Sequence, residues 1–190
     1  RKESSAASDV YKRQVILVIV FYLLGNNGNL YAPFGLSYMA SSLEAFVPVA
    51  LLALAEMFVI TSGRSGIDLS VGAMVSLSGL VFGALVQHAG VPVLLAALVV
   101  IIVGGLMGLL NGVLVGYFGF PPLIATLATS YAFASIAMVA SGQAPISGPK
   151  IAATHELTRN LSLFGDVQLP IQVLSFLLPA MVISWFMLEH

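Results

Sequence analysis

Three acidic side chains fall inside or beside long apolar runs, Glu44, Glu56 and Asp68, and they hold most of the chemical potential of this sequence. A carboxylate at membrane depth is costly unless it is paired or wet, so each needs a structural or functional reason. Asp68 stands where Ser62-Gly63-Arg64-Ser65-Gly66-Ile67 gives way to the apolar run that starts at Leu69. Its carboxylate is placed to accept from the free amides in the first turn of a helix starting there. Glu56 lies about two helical turns before Arg64, a spacing that allows an ion pair, a wet interior position or a proton-bearing role. Ser70 and Asn111 are further polar side chains set in apolar runs, Ser70 two residues beyond Asp68.

Other chemistries lack their residues. There is no cysteine, which removes disulfides, a thiolate nucleophile and cysteine-ligated metals. His88, His155 and His190 are scattered without ligand spacing, so no metal site is expected. Catalytic constellations are absent, so no enzyme is expected, and no phosphate-cradling loop ends in Gly-Lys-Ser/Thr, so the chain is not expected to hydrolyse ATP. No cofactor is expected.

The elements that must position the acids follow from composition. Of 190 residues 59% are apolar and 8% are charged, against roughly a quarter charged in a soluble domain. Lipid must therefore be part of the solvent. The net charge of -1 offers no basic face for nucleic acid. A spanning helix needs about 20 mostly apolar residues, and about six runs qualify on that length: 15–31, 43–61, 69–87, 91–117, 121–141 and 170–188. The first is interrupted by Gly25-Asn26-Asn27-Gly28. The runs are continuous rather than alternating, which disfavours a β-barrel. The expected fold class is all-α, a polytopic transmembrane helix bundle.

Helices in lipid associate through small residues that let backbones approach. Gly104, Gly108, Gly112 and Gly116 recur every four residues along the fourth run, with Asn111 beside them, and Gly72 with Ser76 and Gly79 with Gly83 do so along the third. These glycines read as packing faces of a multi-helix core. Two loops are long, about 32–42 and 142–169, and the second carries Lys150, His155, Glu156, Arg159 and Asp166. Residues 1–14 (RKESSAASDVYKRQ) are polar, lack the apolar middle and cleavage site of a signal peptide, and read as a non-native head; residues 15–190 carry the transmembrane domain. Counting passes puts Arg64 on one side of the membrane and Lys150 with Arg159 on the other, so the positive-inside rule leans toward a cytoplasmic 142–169 loop.

The stretch Gly66-Ile67-Asp68-Leu69-Ser70-Val71-Gly72 resembles the signature of the permease subunits of ribose-, xylose- and arabinose-type ABC importers. Met57-Phe58-Val59-Ile60-Thr61-Ser62-Gly63 upstream, and Pro122-Leu123-Ile124-Ala125-Thr126-Leu127 and Gln143-Ala144-Pro145-Ile146 downstream, strengthen the resemblance. It implies a permease of about ten spanning helices of about 20 residues each, of which this chain would be the N-terminal part. It also implies a bacterial inner-membrane location, a second permease subunit, an ABC ATPase subunit on another chain, a periplasmic sugar-binding protein and a small polar solute. An inside N-terminus in that family places the 142–169 loop outside and Arg64 in the cytoplasm, against the charge count. The chain departs from the pattern at Ala134-Ser135, where the family often has Arg-Gly, and at Glu56, where an apolar residue is common; the particular sugar is therefore not assigned. An ion- or proton-coupled secondary transporter and a non-transporting scaffold are the alternatives, and neither accounts for GIDLSVG.

Overall fold

The computed structural model describes residues 2–31, 34–62, 66–154, 160–164 and 167–189. Helix α1 spans Lys2–Asn26, α2 Leu36–Thr61, α3 Val71–Gly83, α4 Val93–Gly112, α5 Pro122–Ala140, α6 Pro149–Thr154 and α7 Leu178–Glu189. A two-stranded antiparallel hairpin, β1 Asn160–Phe164 and β2 Val167–Pro170, precedes α7. The all-α expectation is met apart from this small hairpin. Among the described residues four helical stretches are long and apolar enough to cross a membrane: Tyr38–Thr61, Val71–His88, Val93–Tyr117 and Pro122–Ala140.

The two outer runs of the expected six differ. In α1 the polar residues of the head join the helix without a break and the helix ends at Asn26, so only residues 15–24 are continuously apolar. The last run is divided, because β2 continues to Pro170 and the apolar helical part, Val173–Glu189, is shorter than the others. The first long loop is also shorter than expected, since α2 begins at Leu36 and carries Pro48 inside it. The second contains α6 and the hairpin. Its His155, Glu156, Arg159 and Asp166, like Arg64, lie outside the described residues.

The chain divides into two compact units. One comprises residues 1–48 and 160–179; within it Phe34 stacks between Phe21 and Tyr38, with ring centroids 5.6 and 6.1 Å apart. The other comprises 49–159 and 180–190 and holds Glu56, Asp68, Ser70 and Asn111, while Glu44 lies in the first. In it α3 packs against α4 and α5. Two exits in this unit share one design. The α3 helix widens into a π turn, Ala84–His88, and α4 into another, Val113–Tyr117. Each then stops at a left-handed glycine, Gly90 at φ 67° and Gly119 at φ 73°, a conformation that costs glycine least. A proline two residues later, Pro92 or Pro121, precedes the next helix. Helices α3, α4 and α5 thus run up and down, so Ser70, Asn111 and the first turns of α5 come to the same end.

Candidate functional site

The loop before α3 is held by hydrogen bonds from three other helices. Its residue Asp68 donates its backbone N–H to Glu56 Oε1 of α2 at 2.9 Å. Leu69 donates its N–H to Thr126 Oγ1 of α5 at 3.0 Å. Thr126 in turn donates to the carbonyl oxygen of Pro122 at 2.9 Å, with that of Ile67 at 3.3 Å. Both amides of the loop are thus committed to side chains of α2 and α5. The helix starts at Val71 with Ser70 at its N-cap position, two residues later than the apolar run suggests. Asp68 accordingly accepts the Ser70 N–H at 2.7 Å, one residue ahead of the helical turn that the sequence put within its reach.

From the core outward, the side chains form a single directed chain. Thr129 Oγ1 donates to Asn111 Oδ1 at 2.7 Å. Asn111 Nδ2 donates to Ser70 Oγ at 2.7 Å, with Asp68 Oδ2 at 3.5 Å. Ser70 Oγ donates to Asp68 Oδ1 at 2.6 Å. Every donor points toward the Asp68 carboxylate, which only accepts, and hydrogen bonds to a carboxylate are the stronger kind. Ser70 is fully buried, and Thr126, Asn111 and Thr129 are nearly so, whereas Asp68 and Glu56 are half-buried. Polar groups sealed from water this way must find partners or cost the full desolvation, and here each does. Gly66 closes the arrangement sterically: a Cβ there would stand 2.7 Å from Pro122 Cβ, so only glycine admits this approach of the loop to the start of α5.

Asp68, Ser70 and Asn111, separated by 43 positions at their extremes, are thus brought together. Glu56 joins them through the Asp68 amide rather than through a cation among the described residues. Sequence reasoning did not single out Thr126 and Thr129 as site residues. Thr126 sits inside the PLIATL element and Thr129 lies three residues on, on the same helical face, which was the available signal. The glycine stripe of α4, like Gly72 of α3, has open space beside it among the described residues. A Cβ at Gly72, Gly104, Gly108, Gly112 or Gly116 would meet nothing within 4 Å among the described residues. Instead Gly108, Gly112 and Gly116 form one wall of a cleft of about 430 Å³, with Asn111, Thr126 and Phe58 among its other residues.

Residues 38–190 match the family described as branched-chain amino acid transport system / permease component. The chain is 34% identical over 158 residues to the autoinducer 2 import system permease protein LsrD of Escherichia coli K12, and equally to those of E. coli O157:H7 and Shigella flexneri. The matched region is 81% of this chain and 46% of each relative, so the chain spans about half the length of the curated relatives it matches. No solved structure matches it. These relatives are permease components rather than enzymes, and the apolar helices are those of a membrane protein. With the family pattern running through the pinned GIDLSVG loop and all four spanning helices, the chain belongs to this family of membrane permease components of ABC importers.

Proposed function

We infer that the chain is part of the translocation path of an importer that carries a monosaccharide or similar small polar solute across a bacterial inner membrane. The family match over residues 38–190 is the observation that carries this reading. The relatives' printed role, autoinducer 2 import, is likewise the import of a small solute. Two permease subunits form the path, ABC ATPase subunits on separate chains drive it, and a periplasmic binding protein delivers the solute. The chain makes and breaks no covalent bond; it changes which side of the membrane has access.

In this scheme Asp68, Ser70 and Asn111 serve the path by fixing its wall. Their polar atoms are turned toward one another, so they hold the 66–70 loop against α4 and α5, and Asn111 also borders the glycine-lined cleft. The open glycine face of α4 is a packing surface for a helix beyond the described residues, because small residues in lipid favour close backbone approach. The end of the bundle carrying α6 faces outward, where the binding protein docks, and the Asp68 end faces the cytoplasm. The secondary-transporter reading depended on Glu56, and Glu56 has a structural task as acceptor of the Asp68 amide.

The test is reconstitution of the full-length permease with its ATPase and binding protein in liposomes. Uptake of a radiolabelled pentose that requires ATP supports the reading. Uptake driven by an imposed proton or sodium gradient without ATP overturns it.

A further inference from the structure

The three-helix unit has a second polar region at the end opposite Asp68. Residues Gln143-Ala144-Pro145-Ile146, which the pinned loop does not use, fold back over the ends of α3 and α5. There they roof a cleft of about 560 Å³ lined by Ser76, Phe82, Met138, Ser141, Gln143 and Ile146, among others. Along α3, Ser76 is six residues beyond Ser70, about 9 Å at the helical rise, so the cleft occupies the half of the span away from the network.

Several features show that this roof is built. Gly142 and Gln143 take left-handed conformations, φ 62° and 63°, and Gln143 is the sole non-glycine with positive φ among the described residues. That conformation is disfavoured for a residue with a Cβ, and sparsely populated backbone held in place by its surroundings marks functional positions. Its amide is fixed to the Met138 carbonyl oxygen at 3.0 Å. Ile146 is set tightly on α3: a Cβ at Gly83 would lie 3.2 Å from Ile146 Cβ. Beyond it, Gln87 Oε1 accepts from the Lys150 and Ile151 amides at 3.2 and 3.4 Å, tying the start of α6 to the end of α3.

The lining has the chemistry of a small-molecule site, apolar walls with a few polar groups, and its volume falls within the usual range of about 300–1,000 Å³. The Ser141 hydroxyl donates to Met138 O at 3.1 Å and keeps its lone pairs for another donor. The Ser76 hydroxyl and the Gln143 side-chain amide have no hydrogen-bond partner among the described residues, and both are exposed. Facing lipid, such groups are costly; facing a wet cleft, they are ready to bind. No charged side chain lines the cleft.

We propose that this cleft is a solute-binding vestibule for a small, neutral, polyhydroxylated molecule, with Gln143, Ser76 and Ser141 meeting its hydroxyls and Phe82 and Met138 its C–H face. The proposal rests on the transport reading and specifies where and what the path binds. The absence of lining charge argues against an amino acid or a phosphorylated solute, whose ionic groups would have no partner here.

The experiment places a single cysteine at Ser76, Ser141 or, as control, Val75 in an otherwise cysteine-free full-length permease, assembled with its ATPase in liposomes. Val75 is exposed on the same helix and does not line the cleft. A membrane-impermeant thiosulfonate is expected to label Ser76→Cys and Ser141→Cys several-fold faster than Val75→Cys. At least one of D-ribose, D-xylose, L-arabinose and xylitol is expected to slow labelling at both cleft positions several-fold, and Gln143→Ala is expected to weaken that protection. Equal labelling at positions 75 and 76, or no protection by any of the four, overturns the vestibule. Protection without ATP-driven uptake of the protecting compound would leave the site standing and overturn the importer reading instead.

Discussion

Asn111→Ala tests whether the directed chain from Thr129 to Asp68 holds the loop before α3. The substitution removes two side-chain hydrogen bonds of 2.7 Å each, one from Thr129 and one to Ser70. At the usual net value, two such bonds contribute about 1–3 kcal/mol; between helices in a membrane one averages about 0.6 kcal/mol, so a loss of about 1–2 kcal/mol is expected. Thr129→Val keeps the shape and removes the hydroxyl that donates to Asn111, with the Thr126 carbonyl at 3.1 Å as its weaker acceptor, for about 0.6–1.5 kcal/mol. Because the two share the Thr129–Asn111 bond, the double variant should lose less than the sum of the singles by about the same amount. Ser141→Ala supplies the control, since it lies twelve residues further along α5, about 18 Å, and should combine with Asn111→Ala additively to within about 0.5 kcal/mol. The measurement is reversible unfolding of the full-length permease by dodecyl sulfate titration in mixed micelles. A coupling between positions 111 and 129 no larger than that between 111 and 141 would refute the role given to the chain of hydrogen bonds.

Three further outcomes follow from the same geometry. Asp68→Asn keeps an oxygen to accept from Ser70 and should cost less than about 1 kcal/mol, whereas Asp68→Ala strands the Ser70 amide and hydroxyl and should cost about 1–3 kcal/mol; equal costs in the same titration would contradict the acceptor role. Gly66→Ala forces its Cβ against Pro122 and should destabilise by about 1–3 kcal/mol, while Gly72→Ala, with open space around it, should be neutral or stabilising by up to about 1 kcal/mol in a helix; the reverse order in protease resistance would refute the close approach. A single cysteine at Ser147 should react with a membrane-impermeant thiol reagent in intact cells whose outer membrane is permeabilised, and labelling only after the inner membrane is broken would reverse the proposed orientation and move the Asp68 end to the outside.

The sequence by itself determined the solvent, the class and the family. Continuous apolar runs with few charges specify spanning helices, because each run is long enough to satisfy its own backbone in lipid, and GIDLSVG with its flanking elements carried the family membership that residues 38–190 bear out. It also flagged Glu56, Asp68, Ser70 and Asn111, because polar side chains in such runs are conspicuous by type alone. What they do to one another was decided by tertiary structure. Hydropathy has no term for hydrogen-bond direction, so it could not show that Glu56 and Thr126 take the amides of residues 68 and 69, or that α3 starts only at Val71. Nor could a four-residue glycine spacing say what fills the space beside it: periodicity fixes which residues share a face, and only the placement of the other helices decides that the face of Gly108, Gly112 and Gly116 borders a cleft. The hairpin at 160–170 and the roof over α3 and α5 were hidden for a related reason, since short polar segments owe their shape to what they fold against rather than to any period of their own.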